Sequence, residues 1–398
     1  MAEYLIIGNG VAGTTAAENI RKNNSDSKIT IITDEDLSFY YRIRINEYIA
    51  GDIGQDDLLA KKTSWYEDNN IDLMLNTRVI SADPDKKNIV TEKGETISYD
   101  KLLIATGSHS FMPPVKGSLT QGVFAVRNIS DARNIMSYAG HINEVVVIGG
   151  GLLGLEAGNA FRKMGKNVTV VEFFPRLLPR QLDVDGAKRL QAIMEGMGFS
   201  FRLDAKTEEI EGEDAVRAVR LAGGVTIETL MVVISAGVRP NMDLAEPLGL
   251  ETDKGIIINE HMLTNKPDIY AAGDVAEFNG IPYGIWPAAM DQGKIAGLNM
   301  AGVDAVYAGT TMANTLKVVG IDLASAGDID AENKFESKTV SDDNTYKKIA
   351  LDNNRIIGCI MLGDTKVFNK ITKLMTAKTD VSTVKDEILK EGFDFSSI

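Results

Sequence analysis

Short apolar runs, each bounded by glycine or by charged residues, recur along most of this chain. Residues 4–7 (YLII) lead into Gly8-Asn9-Gly10-Val11-Ala12-Gly13, and a helix-compatible stretch at 14–22 and a second apolar run at 29–32 follow. The pattern returns at 145–148, which leads into Gly149-Gly150-Gly151-Leu152-Leu153-Gly154, then a helical stretch at 155–164 and a run at 168–171 that ends on Glu172. Runs without polar alternation, separated by helical periodicity, predict parallel strands covered on both faces. Each copy therefore predicts a strand-helix-strand unit of about 30 residues. The C-terminal segment differs, with strand-like runs at 315–319, 347–351 and 355–362 and a helical stretch at 366–376.

The glycine spacing carries chemistry. In the first turn Gly8 permits a tight bend, Gly10 lets the backbone approach a pyrophosphate, and Gly13 lets helix and strand pack closely. The helix N-terminus then offers free N–H groups and the positive end of its dipole to phosphate. One such turn is a weak signal. Two, each flanked by strand and helix at the right offsets, predict two dinucleotide sites. Glu172, at the end of the second unit's outer strand, can accept hydrogen bonds from an adenosine ribose and would repel the extra phosphate of NADPH, which favours NADH. In the first unit Thr33 holds the strand-end position, so the acidic partner is Asp34 or, as the alternative, Glu35.

Composition narrows the function classes. Hydrophobic residues make up 44% and charged residues 25%, and no stretch approaches the roughly 18 to 20 apolar residues of a membrane span. The first strand begins too near Met1 for a signal peptide, so a cytoplasmic location is expected. A net charge of -14 argues against nucleic acid, which is bound through Lys and Arg. Cys359 is the one cysteine and sits in an apolar run. It permits no internal disulfide and no cysteine-ligated iron-sulfur cluster, and with only three histidines no metal site is expected.

Further segments resemble the FAD-dependent pyridine nucleotide-disulfide oxidoreductase superfamily. Ala105-Thr106-Gly107 resembles its ATG turn, the run 235–241 (SAGVRPN) with Gly237 resembles the exit from its NAD domain, and 264–274 (TNKPDIYAAGD) resembles its second FAD motif. The resemblance implies that Asp274, after Gly273, binds the flavin ribityl chain. Where disulfide reductases carry CxxxxC, and single-cysteine oxidases carry a cysteine in place of Arg42, this chain has Tyr40-Tyr41-Arg42-Ile43-Arg44-Ile45-Asn46-Glu47. That run is similar to the Y-x-R-x-x-x-S/N segment of ferredoxin and rubredoxin reductases, whose arginine sits at the FAD pyrophosphate. The Pro-Pro common in ferredoxin reductases is absent, and the lysine beyond it is Glu47 here. Residues 47–70, 273–278 and 316–329 look most like NADH:rubredoxin oxidoreductases. Residues 151–156 and 181–183 look equally like the flavin module of NADH-dependent nitrite reductase.

The expected fold class is α/β, with two doubly wound Rossmann-like nucleotide-binding domains and a small α+β C-terminal domain. The expected boundaries are 1–111 with 243–310 for FAD, 112–242 for NAD, and 311–398 for the last domain. The resemblance implies that Glu156 lies beside the nicotinamide, with a helix-surface acid as the alternative, and that Trp286 covers the flavin, with a domain-interface anchor as the alternative. The expected function is an NADH-dependent FAD oxidoreductase, monomer or homodimer, that reduces a small acidic carrier such as rubredoxin. Alternatives are a flavin reductase feeding nitrite reductase or oxygen, and a non-catalytic protein that responds to NADH. Lys366, Lys370 and Lys373, spaced i, i+4 and i+7, together with Lys378, suggest either a docking face for that carrier or an ordinary solvated surface.

Overall fold

Side chains that are apolar on both faces of a strand need cover on both faces, and helices supply it. In the computed structural model, which describes residues 1–310 and 313–398, the apolar runs accordingly become the strands of two parallel sheets. The first sheet has the order Ile269–Ala271, Lys101–Ile104, Glu3–Ile7, Lys28–Ile32, Ile71–Met74. The second has the order Phe199–Arg202, Asn167–Val171, Glu144–Ile148, Met231–Ile234, Val123–Phe124. All pairs in both sheets are parallel. Each sheet is accompanied by an antiparallel meander, Val79–Asp83 to Thr96–Ser98 in one case and Thr207–Glu211 to Thr226–Glu228 in the other.

Against the first sheet lies the helix Val11–Asn23, which is itself packed by Trp286–Met300. Small residues make that contact close. A Cβ on Gly293 would stand 2.3 Å from the Ala12 carbonyl oxygen, and one on Gly297 would stand 2.5 Å from that of Ala16.

The chain divides into two compact units. One takes residues 1–44, 54–109 and the segment beginning at Val238; the other takes 45–53, 110–237 and the C-terminal sheet. The segment 45–53 thus groups with the second sheet, whereas the sequence places all of 1–111 together. The cause is packing: Ile45 and Ile49 are buried, and the helix Ile45–Ile49 contacts Ile129–Ala139 and Leu152–Lys163.

The C-terminal sheet is antiparallel, in the order Ala313–Val318, Ile321–Gly327, Arg355–Leu362, Tyr346–Asp352, Glu336–Ser341. Its core includes Ile349, Ile356, Cys359 and Met361 under the helix Phe368–Thr376. That helix begins after Lys366, whose N–H is instead taken by Asp364 at 3.1 Å. The expected face of three lysines therefore reduces on the helix to Lys370 and Lys373, and Lys370 lies 4.9 Å from the centre of the Phe395 ring.

A buried polar cluster ties this sheet to the residues before it. Asp183 caps the helix Val184–Gly196 by accepting from the Gly186 N–H at 3.0 Å. Its other oxygen accepts from the Tyr346 hydroxyl at 2.7 Å and lies 3.1 Å from Lys348 Nζ. Lys348 is only 2% exposed and also donates to the Asp330 carbonyl. Removing one partner of such a buried pair typically costs about 3 to 5 kcal/mol, because the other charge is left uncompensated.

Candidate functional site

Helices that end inside a protein usually borrow a side chain to satisfy their first N–H groups. Ile129–Ala139 does so through Asn128 and Asp131, and Val184–Gly196 does so through Asp183. The helices that follow the two glycine turns do not. Val11–Asn23 starts from Gly10 and Leu152–Lys163 from Gly151, with no capping side chain and no acid in the first turn. A Cβ on Gly10 or Gly151 would meet nothing within 4 Å, whereas one on Gly13 or Gly154 would lie 2.0 Å from the carbonyl oxygen of Gly8 or Gly149. Each turn is thus closed on the protein side and open at its middle glycine, which fits a phosphate group. Val11 and Ala12 in one helix, and Leu152 with the exposed Leu153 in the other, form the first turns behind these openings.

At the second turn Glu172 is buried, and both of its oxygens accept backbone N–H groups, one from Gly150 and one from Phe174 at 2.8 Å. Each oxygen keeps a further lone pair for a ribose hydroxyl. Arg176 is committed to its own loop, donating to the Leu182 and Pro179 carbonyls at 3.2 Å. At the first turn the equivalent strand-end position is Thr33, which is buried. Asp34 is exposed, while Glu35 turns inward to accept from Tyr40 and from Arg42 at 2.5 Å. Burial works against the charge on Arg42, but Tyr40, Glu35 and Asp274 outweigh it and raise its pKa. The Asn9 amide nitrogen is buried without a partner, and its oxygen accepts from Tyr66 at 2.8 Å.

Asp274 accepts from the Ser108 hydroxyl at 2.8 Å, and the Gly273 N–H donates to Gln292 at 2.8 Å. The ATG turn is fastened by Asn241. Its Nδ2 donates to the Thr106 carbonyl at 2.8 Å, its carbonyl accepts from the Thr106 hydroxyl at 2.8 Å, and its N–H donates to the Gly107 carbonyl at 3.0 Å. Ala105 closes over Gly8, whose Cβ would stand 2.1 Å from the Ala105 carbonyl oxygen. The Gly237 carbonyl accepts from the Phe111 N–H at 2.9 Å. Trp286 packs with Phe39 and Tyr41 in a cluster of three rings, its centre 5.8 and 5.9 Å from theirs and theirs 6.4 Å from each other.

Glu156 is pushed up to about 7 by burial, against a hydrogen bond from Asn46 and with a further push from Glu47. Cys359 is 1% exposed, and burial raises its thiol to about 12, so it is held as an unreactive thiol. Asn46 and Asn241 stand in segments that the sequence singles out but their partners do not show there, and Ser108 and Gln292 are ordinary polar residues until the fold brings their partners near.

Among the described residues no helix is long and apolar enough to cross a membrane. Residues 2–293 match the model of the pyridine nucleotide-disulphide oxidoreductase family, and residues 313–379 match the rubredoxin NAD+ reductase C-terminal domain. The chain is 37% identical to a nitrite reductase [NAD(P)H] of Bacillus subtilis over 98% of its own length and 49% of that protein's. It spans about half the length of several such curated relatives. It is 34% identical to the NADH-rubredoxin oxidoreductase of Clostridium acetobutylicum over 96% of each chain. The crystal structure of NADH:rubredoxin oxidoreductase from that organism matches with a TM-score of 0.85 at 32% identity, over 97% of this chain and 98% of that one. With the glycine turns as found and a family match over most of its length, the chain belongs to the pyridine nucleotide-disulphide oxidoreductases, which use FAD and NADH.

Proposed function

We propose that this protein oxidises NADH and passes the electrons singly to a small redox protein of the rubredoxin kind. The observation that carries the reading is the pairing of two uncapped glycine turns with a C-terminal segment, 313–379, similar to the rubredoxin NAD+ reductase C-terminal domain. When bound, FAD supplies the chemistry, accepting a hydride from NADH and yielding electrons to the acceptor. The chain's residues position the nucleotides. The first turn, Arg42 and one of Asp34 and Glu35 hold the FAD phosphates and adenosine, Asp274 takes a ribityl hydroxyl, and Trp286 covers the ring. The second turn and Glu172 hold NADH, and Glu156 sits beside its nicotinamide. The FAD-binding part comprises 1–111 and 243–310 apart from 45–53, which packs with the NAD-binding part, 112–242. With a single buried cysteine, electrons pass to the acceptor without a disulfide relay.

A second reading has support in the 37% identity to a nitrite reductase: the same flavin chemistry feeding a separate nitrite-reducing partner. Anaerobic turnover of NADH with purified rubredoxin, compared with ferricyanide and with air, tests the proposal. Rapid turnover with rubredoxin is expected. Rapid turnover with ferricyanide alone would overturn rubredoxin as the acceptor, and loss of NADH oxidation with every acceptor would overturn the enzyme reading.

A further inference from the structure

The helix Leu152–Lys163 is braced at both ends by the segment 45–53. Glu156 and Lys163 are seven residues apart, two turns along one face. At the first, Asn46 hydrogen-bonds the carboxyl group; at the second, Asp52 pairs with Lys163 at 2.5 Å. Asn46 thus uses its amide nitrogen on Glu156, and its amide oxygen is buried without a partner. Glu47 adds a like charge from the same short helix. On its other side the helix meets Val147, Val168 and Phe199 around Gly158. Of the charges nearby, Glu144 on the adjoining strand accepts from Asn167 at 2.6 Å, and Arg162 on the helix itself donates to Asn159 at 3.1 Å.

We propose that Asn46 is a positioning residue for Glu156, and that the pair senses the charge of the nicotinamide ring, favouring NAD+ when the carboxyl group is ionised and NADH when it is protonated. The inference rests on the reading that Glu156 faces that ring. The ring of NAD+ carries a positive charge and the ring of NADH none, so a carboxylate in a poorly solvated place discriminates between them and a neutral acid does not. Burial sets the midpoint of Glu156 at about 7. Above it the ionised form prevails and NAD+ is retained; below it NAD+ leaves more readily. The hydrogen bond from Asn46 favours the ionised form, so its removal moves the midpoint to higher pH.

Calorimetric titration of the FAD-loaded protein with NAD+ and with tetrahydro-NADH, a neutral-ring analogue that cannot give up hydride, tests this. In the wild type, the affinity for NAD+ relative to the analogue rises about five- to tenfold as pH increases through the midpoint, within the usual range of coupling between sites. In Glu156→Gln the ratio is flat. In Asn46→Ala the same rise occurs with its midpoint at higher pH. A flat ratio in wild type with both nucleotides bound, or an unmoved midpoint in Asn46→Ala, would overturn the proposal while leaving the nucleotide site intact. Failure of both nucleotides to bind the wild-type protein would overturn the site and the proposal with it.

Discussion

The two glycine turns share a backbone and differ in how their second residue is used. Gly8 and Gly149 lie at φ of 115° and 119°, where only glycine is comfortable. Gly13 and Gly154 press equally close to the turn behind them. Between these fixed points the first turn has Asn9 and the second Gly150. The reason lies at the neighbouring strand end. Where Glu172 reaches back to the Gly150 N–H, a Cβ at that position would stand 3.1 Å from the glutamate and 2.9 Å from Leu177. Where Thr33 takes the glutamate's place, the space admits an asparagine, which accepts from Tyr66 and Thr14. The side chain at the strand end therefore determines which residue the turn can tolerate, so one backbone motif can carry two different second residues.

The largest expected effect comes from breaking each turn separately. A methyl group on Gly13 or Gly154 must displace a carbonyl oxygen 2.0 Å away. Gly13→Ala should yield protein that purifies without flavin colour. Gly154→Ala should keep its flavin and lose NADH-dependent flavin reduction by about a hundredfold or more, equivalent to about 3 kcal/mol. Visible absorbance and stopped-flow reduction separate the two. If Gly13→Ala keeps flavin and Gly154→Ala loses it, the assignment of the turns is reversed.

Much of this comparison can be read from the sequence, because continuous apolar runs and glycine spacing are local properties. The strands Glu3–Ile7 and Arg355–Leu362 fall on the apolar runs that predict them. Glu336–Ser341 escapes notice because an exposed edge strand of sequence ESKTVS has no apolar face to show. The lysine spacing misleads at its first member because Asp364, by taking the Lys366 N–H, holds that residue ahead of the helix. Within the site, the residue types at the turns are legible and their fastenings are not. Asn241 and Thr106 bond across 135 positions, and no periodicity records such a pairing.

A smaller effect is expected from Glu172→Ala. It deprives the Gly150 N–H of its acceptor and, on the proposed reading, removes the charge that would oppose the extra phosphate of NADPH. kcat/KM for NADH should fall about tenfold, the effect of about 1.4 kcal/mol, while the value for NADPH falls less or rises. The measured quantity is the ratio of the two, and an unchanged ratio would show that Glu172 only shapes the turn. Gly150→Ala sharpens the point: if its added methyl group displaces Glu172, the ratio moves in the same direction with the carboxylate still present.

The smallest expected effect concerns Asn9, the residue that most separates the first turn from the second. Tyr66 is 1% exposed; its hydroxyl donates to Asn9 at 2.8 Å and accepts from the Phe39 N–H at 3.1 Å. Asn9→Ala removes the acceptor and leaves the buried hydroxyl with the Thr14 side chain beside it, at a cost of about 1 kcal/mol. Tyr66→Phe removes the donor but also deprives the Phe39 N–H of its acceptor, so it too should destabilise. Because both changes delete the same bond, the double variant should be less destabilised than the sum of the singles by about 1 kcal/mol. Denaturant unfolding of the FAD-loaded proteins, followed by release of flavin fluorescence, gives the three values. Flavin should be retained throughout, since Asn9 bonds through its oxygen to the protein rather than forming the opening at Gly10. Loss of flavin in Asn9→Ala alone, with Tyr66→Phe unaffected, would show instead that the buried amide nitrogen of Asn9 holds the nucleotide. The second residue of the first turn would then be a ligand in its own right, a role that Gly150, having no side chain, cannot take in the second.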